Sequence, residues 1–167
     1  GAQLIHGYAC GQDKLERSLG ESGARALWDM SLEGLDLVRE RVARHGIDCD
    51  LKWGQLHAAI KPRQEHELRA WQDELAGRYG YGSTRYIESA ELRELLDTDR
   101  YRGGLFDTNS GHCHPLKYTR GLAAEVVTEG RLRLNGARMG KPGHAVWPGD
   151  VLTFPHARHI RGVRIVA

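Results

Sequence analysis

A chain of 167 residues, 40% apolar and 28% charged, has room for one domain, or one and a small second. That balance excludes an intrinsically disordered protein, and no apolar run approaches the roughly 20 residues needed to span a membrane. The net charge of +2 is unevenly spread: from residue 117 onward nine Lys/Arg face three acids, whereas the first 116 residues carry 15 bases against 19 acids. Such asymmetry points to a polyanion partner for the basic end. Three widely spaced cysteines, Cys10, Cys49 and Cys113, form no disulfide framework and fit a reducing, cytoplasmic setting. Gly1 in place of Met implies a processed start or excision from something longer.

Residues 1–11 are glycine-rich and show no clear period. From about Ser22 to His45 the spacing of Leu27, Leu35, Val38 and Val42 predicts a helix stopped by Gly46. Ile47, Cys49, Leu51 and Trp53 then alternate as a strand. Lys61-Pro62 opens a second helix with Leu68, Trp71 and Leu75 on one face. Tyr86-Ile87 reads as a short strand and Ser89 as the cap of a short helix to about Leu96. A strand over residues 104–106 is expected to end in the turn-rich Asp107-Thr108-Asn109-Ser110-Gly111. A helix is predicted from about Pro115 to Thr128. After it Arg131-Leu132-Arg133-Leu134 alternates into Asn135-Gly136, a strong hairpin signal. Residues 151–154 and 161–166 are further strands.

Little in residues 1–116 has the spacing of a reactive centre. Trp28, Trp53 and Trp71 each fall within an apolar pattern and read better as core than as pocket lining. In a strand His112 and His114 would share a face around Cys113, but further ligands with supporting spacing are lacking, and no metal site is expected. Asp97 and Asp99 sit in a charged, solvated turn, and no catalytic triad can be argued from spacing.

Several blocks carry a family resemblance: Gly1-Ala2-Gln3-Leu4-Ile5-His6-Gly7, Leu27-Trp28-Asp29-Met30-Ser31, Gly46-Ile47-Asp48-Cys49-Asp50-Leu51, Gly103-Gly104-Leu105-Phe106-Asp107 and Gly111-His112-Cys113-His114-Pro115-Leu116. Over residues 1 to about 122 the chain resembles FAD-dependent amine oxidoreductases of the D-amino-acid oxidase superfamily, especially the gamma-glutamylputrescine oxidase branch. The resemblance implies a substrate-side sheet with its helices. It also implies that Gly1, Ala2 and Gln3 occupy flavin-lining positions, with Ala2 where the family has glycine. The fingerprint G-x-G-x-x-G that seats the FAD pyrophosphate appears nowhere. No cofactor is therefore expected in this chain, although FAD belongs to the resembled family, and no catalytic residue is assigned.

A second set of residues lies toward the C-terminal end: Lys117-Tyr118-Thr119-Arg120, Gly130-Arg131-Leu132-Arg133-Leu134-Asn135-Gly136, Lys141-Pro142 and Ala145-Val146-Trp147-Pro148-Gly149-Asp150. From about residue 117 to 167 the chain resembles the RNA-binding domain first described in ribosomal protein S-four, the alpha-L motif, and in particular the heat-shock-protein-fifteen group. The resemblance implies contact with structured, ribosomal RNA through Lys117, Arg120, Arg131, Arg133, Arg138, Lys141, Arg158 and Arg161. The usual first helix of that motif is missing, its place being taken by residues 111–116. The physical reading agrees, because Arg and Lys release counterions from phosphates and a compact basic face suits structured RNA.

The expectation is thus an α+β chain of two parts. Residues 1–116 form an oxidoreductase-like, substrate-side fragment with a mixed or antiparallel sheet, inactive alone. Residues 117–167 form a small helix-plus-hairpin RNA-binding module. The alternatives are a fragment that works with a flavin-binding partner, and a chimera with no evolved task whose unpaired apolar surface drives self-association.

Overall fold

The computed structural model describes residues 1–155 and 162–166. The chain divides into two compact units. One comprises residues Gly1–Arg39 and Asp50–Cys113, the other Glu40–Cys49 and the segment from His114 onward.

In the first unit, strands β1 (Ala2–Leu4), β2 (Lys52–Ala59), β3 (Thr84–Glu88) and β4 (Gly103–Cys113) form one antiparallel sheet. The long β4 is its spine. It pairs with β2 along one edge, while β1 and β3 share the other edge, β1 opposite residues 111–113 and β3 opposite residues 103–107. Helix α1 (Gln12–His45) breaks at Gly20, whose φ of +73° and ψ of 172° no side-chain-bearing residue adopts comfortably. Helix α2 (Pro62–Tyr79) starts on Pro62, with Gln64 reaching back to accept from the Ile60 and Lys61 amides ahead of it, and ends on the left-handed Gly80. Trp28 of α1, Leu75 and Tyr79 of α2, and Tyr81 beyond it make the buried core, with Leu32 and Trp71 packed against them. The short α3 (Ser89–Leu96) packs on β3 and β4 and buries Leu92. Gly104 leaves room there for Leu56 and Leu92, whose side chains lie 2.8 and 3.4 Å from where a Cβ would stand.

Three sequence expectations are corrected in this unit. Residues 2–4 form a strand because β4 extends far enough to offer them an edge. The strand expected at residues 47–53 begins instead at Lys52 and runs to Ala59. Ile47 and Cys49 are buried in irregular backbone. The turn expected at residues 107–111 is not a strand end. β4 continues through it as a bulge, with one residue of β2 (54) set against three of β4 (108–110) between the pairs Trp53–Gly111 and Gln55–Asp107. The turn chemistry is real but serves the bulge: the Asp107 carboxylate accepts from the Asn109 amide at 2.9 Å and the Ser110 hydroxyl at 2.6 Å.

In the second unit α4 (Pro115–Thr128) follows β4 after a single residue, His114. His114 leaves the strand and caps the helix, its Nδ1 accepting from the Lys117 amide at 3.5 Å, so it does not share a strand face with His112. Strands β5 (Arg133–Leu134), β6 (Ala137–Arg138), β7 (Val151–Thr153) and β8 (Gly162–Arg164) make a second antiparallel sheet in the order β6-β5-β7-β8. Asn135 and Gly136 both take positive φ, +51° and +85°, the geometry of a two-residue hairpin. Asn135 also ties β5 to β7, donating from Nδ2 to Asp150 and accepting from the Val151 amide. The last turn of α1 and the segment after it belong to this unit: buried Ile47 fills the space a Cβ would need at Gly121 of α4.

Candidate functional site

The buried centre of the first unit is Asp107, 3% exposed. Its carboxylate accepts from the Tyr81 hydroxyl, the Ser110 hydroxyl and the Asn109 amide, and His6 Nε2 lies 3.4 Å away. Burial alone would raise its pKa. The donors His6, Ser110, Asn109 and Tyr81 outweigh it and hold the group down at about 2. Burial, and then the Asp107 carboxylate, push the Tyr81 phenol up. His6 follows β1 and points into aromatic surroundings. Its ring centroid is 4.8 Å from Trp28, 4.8 Å from Tyr81 and 6.4 Å from Trp71. Its side chain is 9% exposed, and its Nδ1, like Trp28 Nε1, is buried without a hydrogen bond to any described residue. His57 stacks edge-on against Trp71, and burial depresses its pKa, Asp107 opposing and His6 reinforcing the shift. Sequence reasoning did not find this cluster. Its members are spread over a hundred residues, and the pairing of β1 and β3 with β4 brings His6 and Tyr81 to Asp107.

A second feature lies beside β1. Gly1 and Gln3 border a cavity of about 350 Å³ with Gly54, Gln55, Gly111 and His112. Of the three terminal residues expected to line a flavin, Gly1 and Gln3 therefore reach a cleft, whereas Ala2 is half-buried opposite Cys113. Gly111 is dictated by packing, since a Cβ there would meet the Lys52 carbonyl and Trp53. Trp53 itself is half-buried under Arg39, whose guanidinium lies 4.1 Å from the ring and also donates to Asn109 at 2.7 Å.

In the second unit the residues expected to meet RNA fall into distinct settings. Lys117 and Arg120 are exposed on the first turns of α4, and Lys141 is exposed beyond the hairpin. Arg131 pairs with Glu129. Arg133 and Arg138 stand directly opposite each other across β5 and β6, and Thr153 is opposite Arg133 on the other side. Thr153 pairs with Gly162, and Arg164, two residues further along β8, shares that face. Arg133, Arg138 and Arg164 are exposed, and none is ion-paired to a described residue. Arg158 and Arg161 lie outside the described residues. Elsewhere in this unit His45, Glu125 and Glu129 bring their donor atoms within 4.8 Å of one another. His45 already contacts Glu125 at 3.3 Å and Arg131 takes Glu129, so both carboxylates have partners.

Residues 1–143 match the family model of FAD dependent oxidoreductases. The chain belongs to that family. It is 39% identical over 130 residues to the probable oxidoreductase OrdL of Haemophilus influenzae, covering 78% of this chain and 30% of that protein. It is 37% identical over 143 residues to the gamma-glutamylputrescine oxidoreductase of Escherichia coli, covering 83% of this chain and 31% of that protein. The fold resembles part of the L-amino acid deaminase of Proteus vulgaris, with a TM-score of 0.56 at 22% identity over 90% of this chain and 33% of that one. The chain thus spans about a third of the curated relatives it matches. The family match runs through residues 117–143 and so overlaps the segment whose resemblance was to an RNA-binding module.

The residues present do not fit the phosphate end of FAD. The sequence has no glycine-rich fingerprint, and the N-terminus of α4 is capped by His114 and opened on Pro115. Among the described residues no helix is long and apolar enough to cross a membrane.

Proposed function

We propose that this chain is the substrate-side part of an FAD-dependent amine oxidoreductase, and that the cleft bordered by Gly1, Gln3, Gly54, Gln55, Gly111 and His112 is its share of the active site. The observation that carries this reading is the cleft itself. The pairing of β1 and β2 with β4 brings Gly1 and Gln3, at the start of the chain, beside Gln55 and His112. The name of the Escherichia coli relative supports an amine as substrate class. The flavin carries the redox step in such enzymes. This chain's residues supply a wall, and no oxidation is expected from it alone. The test is flavin binding by fluorescence, comparing FAD with lumiflavin, which keeps the ring and lacks the phosphates. Equal, weak binding of both, reduced by Gln3→Ala and by His112→Ala, supports a ring-side wall. FAD binding far tighter than lumiflavin, or neither ligand binding, overturns it.

A second reading rests on the second sheet. We infer that its face bearing Arg133, Arg138 and Arg164 contacts the phosphates of structured RNA, with Lys117, Arg120 and Lys141 on the same unit. Like charges placed directly opposite in a sheet are destabilising, and the Arg133–Arg138 pair is ion-paired to no acid among the described residues. Phosphates would relieve it. Binding to ribosomal RNA across a salt series tests this reading: affinity should fall linearly in log salt, with a smaller slope in the Arg133→Ala, Arg138→Ala double variant. Salt-insensitive or absent binding overturns it.

A further inference from the structure

We infer that His45, Glu125 and Glu129 form a site for a divalent ion of the zinc type. Their donor atoms lie within 4.8 Å of one another. They come from two elements of the second unit: His45 ends α1, Glu125 stands in the last turn of α4, and Glu129 caps that helix. A tetrahedral ion with bonds of about 2.0–2.1 Å sets its ligand atoms about 3.3 Å apart. His45 Nδ1 and Glu125 Oε2 stand 3.3 Å apart. Only Glu129 has to turn. Its carboxylate is held by Arg131 at the surface, in a kind of pair that contributes little to stability.

The electrostatics of this corner favour a cation. Glu125 and Glu129 are one helical turn apart, joined by the bond from the Glu129 amide to the Glu125 carbonyl at 2.8 Å, and like charges at that spacing repel. They also sit at the C-terminal, negative pole of α4, whose last turn holds no base. The imidazole is presented to them by firmly closed backbone. Gly46 takes a φ of +57°, the Ile47 amide returns to the Val42 carbonyl at 3.0 Å, and buried Ile47 lies against Gly121 of α4. Magnesium and calcium take six or more ligands, nearly all oxygen, whereas one imidazole with two carboxylates suits zinc and its first-row neighbours. Three protein ligands leave a fourth position free, and all three border a cavity of about 500 Å³ with room for a water or an exogenous ligand there. Of the arginines beside it, Arg44 is already paired with Glu40. This inference stands on the second unit alone and rests on neither the flavin nor the RNA reading.

The test is titration of the chelator-treated full chain with Zn²⁺ against a chromogenic chelator, with Mg²⁺ as the comparison. Zn²⁺ should bind, and a large excess of Mg²⁺ should not compete. Glu129→Gln, at an exposed capping position, should weaken Zn²⁺ at least about tenfold, the loss that removal of even an outer partner brings at metal sites, and His45→Ala should weaken it further. Arg131→Ala, which releases Glu129, should tighten it. Because the ion joins the end of α1 to α4, Zn²⁺ should raise the melting temperature of the parent protein and leave that of Glu129→Gln unmoved. Competition by Mg²⁺ would reduce the site to a pair of surface acids and overturn the proposal. So would absence of Zn²⁺ binding, or binding undiminished in His45→Ala and Glu129→Gln. Should His45→Ala fail to fold, Co²⁺ decides on the other two proteins. The parent should show the strong visible absorption of a four-coordinate ion and Glu129→Gln should lose it, whereas a weak octahedral spectrum in the parent, or identical spectra in both, overturns the assignment.

Discussion

Tyr81 donates its hydroxyl to both oxygens of the Asp107 carboxylate, at 2.8 and 3.0 Å, from a position 26 residues away in sequence. The bond joins the end of α2 to the spine of the sheet. Tyr81→Phe removes a donor from a buried charge and leaves the ring in place. It should destabilise the protein by about 1–3 kcal/mol, read from urea unfolding at neutral pH. A loss within error would mean that Ser110 and the Asn109 amide alone satisfy the carboxylate.

The same carboxylate predicts an acid limb. Its folded pKa of about 2 lies below the ordinary aspartate value, so the ionised form is preferred in the fold. The stability this contributes is present above about pH 4 and is lost as pH falls toward 2, on the order of 2 kcal/mol in all. Asp107→Asn should flatten that limb in a series of melts from pH 6 downward. An unchanged limb would assign acid sensitivity to other carboxylates.

His57 predicts a second limb at higher pH. Burial depresses its folded pKa, so the unfolded chain takes up a proton first. Stability should therefore fall as pH drops below about 6.5, the ordinary histidine value. His57→Gln should remove the change between pH 7 and 5 while leaving the lower limb of Asp107 intact. Persistence of the upper limb in that variant would point to another histidine.

What was legible in the sequence follows from how local each signal is. The Asn135-Gly136 hairpin, the helix opened by Pro62 and the helix opened by Pro115 depend on neighbours in sequence, and each stands where spacing placed it. The run from Asp107 to Gly111 carries turn residues, yet strands on both sides of β4 convert the turn into a bulge within an eleven-residue strand. No window of local sequence contains that information. The cluster around Asp107 was invisible for the same reason: His6, Trp28, Trp71, Tyr81 and Asp107 have no common period, and they come together only when the sheet is assembled. The match over residues 1–143 was legible as ancestry in the glycine-rich blocks, but it runs on through residues 117–143, where the basic segment had been read as a separate RNA-binding module.

Gly121 gives the last prediction, and one in which propensity and packing disagree in sign. It lies inside α4, where replacing glycine by alanine in an exposed helix gains about 1 kcal/mol from backbone entropy. Here a Cβ would stand on the Ile47 side chain, meeting Cγ2 first and Cγ1 at 3.0 Å, and Ile47 is buried. Overpacking of this kind typically costs about 1–3 kcal/mol, more than the propensity returns. Gly121→Ala should therefore lower stability, and the Gly121→Ala, Ile47→Val double variant should recover part of the loss because Val removes the Cδ1 methyl and frees Ile47's site to shift. Thermal melts of the four proteins in the cycle measure the coupling. Stabilisation by Gly121→Ala alone would show that the loop carrying Ile47 yields more easily than the helix, and that residues 40–49 are loosely seated in the second unit.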